Sequence, residues 1–236
     1  MHIPDGYLSP QTYGPLFAIM ILVWQRATVK VKQTLNKKNM PLLALSAAFG
    51  FVIMMFNVPI LGGSTGHAIG SAVVAIALGP WAAVIAISTT VIIQAVLFSD
   101  GGITAIGANS FTMAFVMPFS AYYIYHLLAG KYEQFGLRQK ISAAIAGYVS
   151  LNLSAVATAI IIGIQPIIAV SASGQPLYAP YPLQIALPAI AIQNMLFFGF
   201  LEAAVTGFVC AYLARANVFQ LAKTVPSFNR RKLDEA

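Results

Sequence analysis

The chain begins Met1-His2, and chemistry is concentrated there first. A free α-amine has an ordinary pKa of about 7.7–8.0, and once deprotonated it can bind a metal. The amide nitrogen of His2 and its imidazole follow on the same short segment. Bound together, these three nitrogens form fused chelate rings around one ion. A histidine at position three would fill four coplanar sites, whereas one at position two leaves a site open. The histidines are His2, His67 and His126. The order of membrane spans set out below brings His2 and His67 to one face and puts His126 on the other. His67 is then the available fourth nitrogen. Four nitrogens in a plane suit Ni(II) or Cu(II), and tetrahedral zinc gains less from so flat a chelate. The plainer readings are a solvated tail for His2, a hydrogen-bonded helix start for His67, and an interfacial structural role for His126.

Other residues carry weaker signals. Glu202 is the one acid well inside an apolar run. Intramembrane carboxylates are functional by default, so it reads as a proton site or partner contact, or as a hydrogen-bonded member of the bundle. Asp100 lies in a Gly-rich loop that it is expected to order, and Asp5 is placed to cap the turn Pro4-Asp5-Gly6. Gln94, Asn109, Ser110, Ser64 and Thr65 are candidates to hold metal ligands in place, or to satisfy loop backbone. Ala44 and Ala48 form a small-xxx-small pair of the kind that lets helices pack closely. Catalytic sets do not appear: the chain has no P-loop, no HExxH, and no Ser or Cys with a histidine at the same depth. It is read as non-catalytic and without an evident energy source of its own.

The elements that must position these groups follow from composition. The 236 residues are 59% hydrophobic and 8% charged, against about 25% charged in a soluble domain, so a water-facing surface of normal polarity is excluded. The net charge of +7 would point to nucleic acid if the basic residues formed a face. They sit instead in short clusters between apolar runs, which is the pattern of membrane topology. The single Cys210 excludes an intrachain disulfide and a thiolate metal cluster. Met1 to Pro10 lacks a basic n-region and a cleavage site, so the mature chain is expected to begin at Met1.

About 20 apolar residues cross the hydrocarbon core as a helix. Seven spans are expected, near 11–31, 42–56, 67–78, 81–98, 108–129, 141–163 and 183–214, in one all-α bundle over 1–215 with a basic tail over 216–236. The third run is too short to cross alone and ends at Gly79-Pro80. Gly14-Pro15 should bend or loosen the first helix. Arg26, Lys30, Lys32, Lys37 and Lys38 follow span one; Lys131, Arg138 and Lys140 follow span five; Arg215, Lys223, Arg230, Arg231 and Lys232 follow span seven. Alternating spans puts all of them on one side. That side is cytoplasmic by the positive-inside rule, which leaves the amino terminus outside a cell membrane. The loops 57–66 and 99–110, rich in Gly, Ser, Thr and Asn, suit a lid or plug dipping into the bundle.

The opening Met1-His2-Ile3-Pro4-Asp5-Gly6-Tyr7-Leu8-Ser9-Pro10 resembles the start of the NikM/CbiM family, the substrate-binding (S) components of nickel and cobalt energy-coupling-factor importers. The resemblance continues at Ser64-Thr65-Gly66-His67, Leu78-Gly79-Pro80, the run from Gln94 to Gly102 and the run from Gly107 to Ala114. It covers the chain to about Pro118 with specific motifs and rests on hydrophobicity thereafter. It implies a compact S-component bundle carrying one extra amino-terminal helix. It implies metal held by the Met1 amine, the His2 amide and imidazole, and His67. It further implies a transmembrane coupling (T) protein, two cytoplasmic ATPase subunits, often a small extra membrane component, and an Ala44/Ala48-like coupling surface. The Pro-Asp-Gly-Tyr-Leu-Ser-Pro version looks closer to nickel members, with a cobalt-specific S component as the alternative. A self-sufficient secondary transporter using Glu202 is the reading from another class.

Overall fold

The computed structural model describes residues 1–35, 39–130 and 135–216. Lys37, Lys38, Lys131 and everything after Ala216, including Lys223, Arg230, Arg231 and Lys232, lie outside the described residues, and so does nearly all of the expected tail 216–236.

The expected apolar runs all become helix. The helices are α1 (Pro10–Thr34), α2 (Met40–Met54), α3 (Ser71–Leu78), α4 (Pro80–Phe98), α5 (Ile106–Ser110), α6 (Met117–Ala129), α7 (Leu137–Gly163), α8 (Gln165–Ile168), α9 (Leu183–Gln193) and α10 (Gly199–Arg215). A π-helical turn, Phe111–Val116, joins α5 to α6, and another, Asn194–Phe198, joins α9 to α10. Five stretches are long and apolar enough to cross a membrane: Pro10–Thr34, Pro80–Phe98, Ile106–Ala129, Leu137–Ile168 and Leu183–Arg215. The protein is thus an all-α, multi-pass membrane protein.

Two of the seven expected runs fall short of a crossing. α2 has 15 residues and α3 has 8; at 1.5 Å per residue they reach about 22 and about 12 Å, against a hydrocarbon core of about 30 Å. The third run does not begin as a helix at His67, as expected, but at Ser71. Gly70 sits at φ +74°, a left-handed conformation that interrupts helical backbone and that glycine tolerates. A Cβ there would also lie 2.6 Å from the Phe49 ring. At the other end α3 stops where Pro80, lacking an N–H, opens α4 as its first residue. α1 runs through Gly14-Pro15 as one helix; the bond Pro15 forgoes falls near the helix start, on the exposed side at Gln11.

Inside the loop 57–66, β1 (Val58–Ile60) pairs antiparallel with β2 (Ser64–Gly66), with Val58 opposite Gly66. The expected plug is therefore a short hairpin, which satisfies its own backbone. α7 is the central helix, packed against α6, α9 and α10. Its buried face is mostly small (Ala143, Ala146, Ser150, Ala155, Ala159), so neighbouring backbones approach closely. α1 is peripheral, and Trp24 Nε1 ties it to α4 by donating to Ser88 Oγ at 2.8 Å. At the end remote from Met1, α2, α3 and α10 leave an apolar groove of about 340 Å³ lined by Leu42, Leu45, Phe49, Leu78, Tyr212 and Leu213, among others. Ala44 and Ala48 are exposed one turn apart on α2.

Because so little of α1 is buried, its one side-chain tie to α4 should matter. Ser88→Ala leaves the Trp24 N–H without that acceptor and is expected to cost about 1 kcal/mol. A thermal melt of the detergent-solubilised protein should show a midpoint roughly 2–4 °C lower.

Candidate metal centre

Residues 1–9 thread into one end of the bundle, where water-exposed backbone would be expected of a terminal tail. Met1 and Ile3 are fully buried and His2 is 2% exposed. Burial obliges every polar atom of the segment to find a partner, and the partners come from distant parts of the chain. Asn109 Oδ1 accepts the Ile3 N–H at 2.8 Å, and Asn109 Nδ2 donates to the Ile3 carbonyl at 3.1 Å. One carboxamide so satisfies both the N–H and the carbonyl of one residue. Gly102 N–H also donates to the Ile3 carbonyl, at 2.8 Å. The Asp5 carboxylate accepts from Thr104 Oγ1 at 2.5 Å, Thr104 N–H at 2.9 Å and Ile103 N–H at 3.0 Å. These bonds, the Thr104 hydroxyl first, hold its carboxyl below the ordinary carboxylate range. Asp5 thus reaches across to the loop after α4, a long-range clamp in place of the local turn cap expected. Gly101, at φ +90°, passes close beneath the segment: a Cβ there would lie 3.0 Å from Asn109 Nδ2 and 3.1 Å from His2 Cδ2. Ala179 N–H donates to the Tyr7 carbonyl, and Ser9 N–H to Gln165 Oε1.

That anchoring delivers Met1 and His2 to His67. The Met1 amine contacts His67 Nε2 directly. His67 Nδ1 lies 3.0 Å from the Ala68 carbonyl, an acceptor that takes the Nδ1–H and leaves the Nε2 lone pair facing the amine. The His2 and His67 rings stack, with centroids 4.9 Å apart and planes 23° from parallel. Thr65 Oγ1 accepts from the Met1 amine at 3.1 Å and from the His2 amide at 3.2 Å, and Ser64 Oγ donates to the His2 carbonyl at 3.3 Å. His2 Nδ1 stands 3.4 Å from Asp100 Oδ1, and Asn57 donates to the other carboxylate oxygen at 2.8 Å.

Burial sets the electrostatics. Desolvation pulls the Met1 amine well below its ordinary pKa, with Asp100 opposing. It pulls His2 and His67 down as well, and the nearby amine adds to both. Burial therefore favours the neutral form of all three groups. By hydrogen-bond geometry neither ring nitrogen of His2 is satisfied, nor is either end of the Gln94 carboxamide, nor the buried Ser110 hydroxyl; Gln94 nonetheless lies close enough to the His2 ring to favour its protonated form. Orphaned buried polar atoms mark a place where something else is to bind. Among the described residues no three His, Cys, Asp or Glu side chains cluster as a metal site. A metal held here would need main-chain nitrogens, and the amine and amide supply them.

Of the candidate residues, the fold gathers Met1, His2, Ser64, Thr65, His67, Gln94 and Asn109. His126 lies apart in α6, edge-on to Tyr122 with centroids 4.2 Å apart, and Cys210 is buried in α10. Glu202, read as a proton site or partner contact, accepts the N–H groups of Ile69 at 2.7 Å and Gly70 at 3.1 Å. Sequence reasoning missed Gln165, whose side chain joins Ser9 and Thr12 to the end of α7. A lone glutamine between an isoleucine and a proline carries no signal of that role.

Comparison with known proteins agrees with this architecture. The family model for the cobalt uptake substrate-specific transmembrane region matches residues 2–218. The fused nickel transport protein NikMN of Rhodobacter capsulatus is 47% identical over 234 residues, 99% of this chain and 67% of that protein. The cobalt transport protein CbiM of Acetohalobium arabaticum is 40% identical over 132 residues, 54% of this chain and 52% of that one. The crystal structure of a truncated transition metal transporter superposes with a TM-score of 0.87 at 49% identity, covering 92% of this chain and 99% of that chain. Fold and relatives together define a multi-pass membrane component of nickel or cobalt transport. The chain belongs to the CbiM family.

Asn109 is the residue on which the buried terminus most depends. Asn109→Ala strands the N–H and a share of the carbonyl of Ile3, at about 2 kcal/mol for two lost bonds. Amide hydrogen exchange over residues 1–9 should quicken roughly thirtyfold, while exchange in α7 stays unchanged.

Proposed function

We propose that the chain is the substrate-binding S component of an energy-coupling-factor importer and captures Ni(II) as its cargo. The donors are the Met1 amine, the His2 amide and imidazole, and His67, in a square plane. One observation carries this: the buried amine contacts His67 Nε2 while the His2 imidazole beside it has no hydrogen-bond partner. Fused chelate rings from one dipeptide impose near-planarity on three donors, and His67 takes the fourth position. Planar nitrogen sets favour Ni(II) over Co(II). The relatives support the same choice, since the fused nickel transport protein matches across 99% of this chain and the cobalt transport protein across 54%.

Gln94, Asn109, Ser110, Ser64 and Thr65 then act around the donors. Asn109 fixes the terminus, Ser64 and Thr65 hold the His2 peptide and the amine, Gln94 lies beside the imidazole, and Ser110 is buried with an unpaired hydroxyl. The site end faces outward. Of the described basic residues, Lys32, Arg138 and Arg215 lie in the terminal turns of helices at the end remote from it, which is where the positive-inside rule puts the cytoplasm. Energy comes from a transmembrane coupling protein and two cytoplasmic ATPase subunits, with a small extra membrane component as a further partner. Ala44 and Ala48, exposed one turn apart on α2, are the surface for the coupling protein.

In the purified full chain, Ni(II) should produce the visible band of a diamagnetic square-planar complex. The band should be lost in His2→Ala, in His67→Ala, and when the Met1 amine is acetylated. A band surviving acetylation would sink the donor set. Burial favours the neutral amine and imidazoles, and the His2 amide must lose its proton to bind. At least one proton should be released per nickel, and affinity should fall at least tenfold per pH unit on acidification. The fall should steepen once the lowered amine and imidazole pKa values are reached.

A further inference from the structure

Glu202 is fully buried in α10, and its carboxylate is not used by any step above. Its oxygens accept from the backbone of the segment between β2 and α3. Oε2 takes the Ile69 N–H at 2.7 Å and the Gly70 N–H at 3.1 Å, and Oε1 takes the Gly70 N–H at 3.1 Å. Thr206 Oγ1, one turn along α10, is a longer donor at 3.5 Å. This segment begins with His67. It is not helical, so no ladder of its own fixes it, and all four of its residues are buried.

From this geometry we infer that Glu202 is the positioning residue for the fourth metal donor, acting on His67 through two peptide units. The relay runs in one direction through direct contacts. Glu202 fixes the Ile69 and Gly70 N–H groups, which orients the peptide plane carrying the Ala68 carbonyl. That carbonyl accepts the His67 Nδ1–H at 3.0 Å, and the ring so held points Nε2 at the Met1 amine. Metal-ligating histidines depend on the group that accepts their other N–H, and losing that support typically costs 10–100-fold in affinity. Here the acceptor is a backbone carbonyl on a loop, so the burden of holding it passes to whatever fixes the loop, which is a carboxylate more than 130 residues away in sequence. The inference rests on the donor set proposed above.

The test uses the full-length protein in detergent, nickel alone as the probe, and two readouts: affinity and the visible band. Glu202→Leu removes both acceptors and should bind nickel about a hundredfold more weakly, with the square-planar band lost as in the His67→Ala protein. Glu202→Gln keeps one oxygen that can accept both N–H groups and should restore the wild-type band, with affinity within about threefold. Glu202→Asp keeps the charge but shortens the reach, and should lose at least tenfold. In a His67→Ala background, Glu202→Leu should cause no further loss, because coupled residues are non-additive. Wild-type affinity and band in Glu202→Asp would overturn the inference, whether or not Glu202→Leu folds. Equal losses from Glu202→Leu with and without His67 would overturn it too, since they mark a general structural effect. If His67→Ala itself leaves nickel binding intact, the donor set has failed first, and that outcome is distinct.

Discussion

The structure depends on taking a chain terminus out of water. An ammonium group in a low-dielectric interior is strongly disfavoured, so the buried Met1 amine must be neutral. A neutral amine is a good nitrogen donor, and the conditions that disfavour its proton disfavour those of His2 and His67. Burial therefore does two jobs at once: it encloses the site and it clears protons from its donors. The rest of the amino-terminal end follows from the need to satisfy a peptide segment that cannot hydrogen-bond to solvent. Asn109 pairs with Ile3, Asp5 with the Ile103–Thr104 backbone, Gln165 with Ser9, and Thr65 with the first two nitrogens of the chain.

The bundle beneath is built for close approach. α7 presents alanine and serine to three neighbouring helices, which leaves no room to re-register one helix against another. The two π-helical turns sit in the helices on either side of it, and such turns re-aim side chains within an otherwise regular helix. The short α3 gives up membrane-crossing length so that the segment before it can remain irregular and carry His67.

Much of this was legible from residues alone, for identifiable reasons. Apolar runs bounded by Gly-Pro and basic clusters mark helices well, because a bilayer leaves the backbone little alternative. The pairing of His2 with His67 was legible because span alternation puts both at one end. What could not be read were contacts set by tertiary geometry. Asp5 looked like a turn former because Asp-Gly usually is one, yet its oxygens reach residues 98 and 99 positions away. Glu202 read as a proton site, a partner contact or a hydrogen-bonded member of the bundle; the structure shows it hydrogen-bonded, but its partners, being backbone amides, leave no trace in side-chain patterns. The start of α3 was misplaced by four residues, since a left-handed Gly70 reads no differently from a helical glycine.

The hairpin and the loop after α4 have a further consequence in time. Met1, His2 and His67 are between 0 and 2% exposed, and the cover over them is tied down by Asn57 to Asp100 and by Asp5 to Thr104. On the donor set proposed above, a hydrated ion could not reach nitrogens enclosed to that degree, and a bound one could not shed them into solvent, without the cover lifting. Exchange is then limited by how often the cover lifts, and occupancy lifetime becomes a property of two loops. Two proteins with the same four nitrogens but looser covers would share an affinity and differ in how long they hold their cargo.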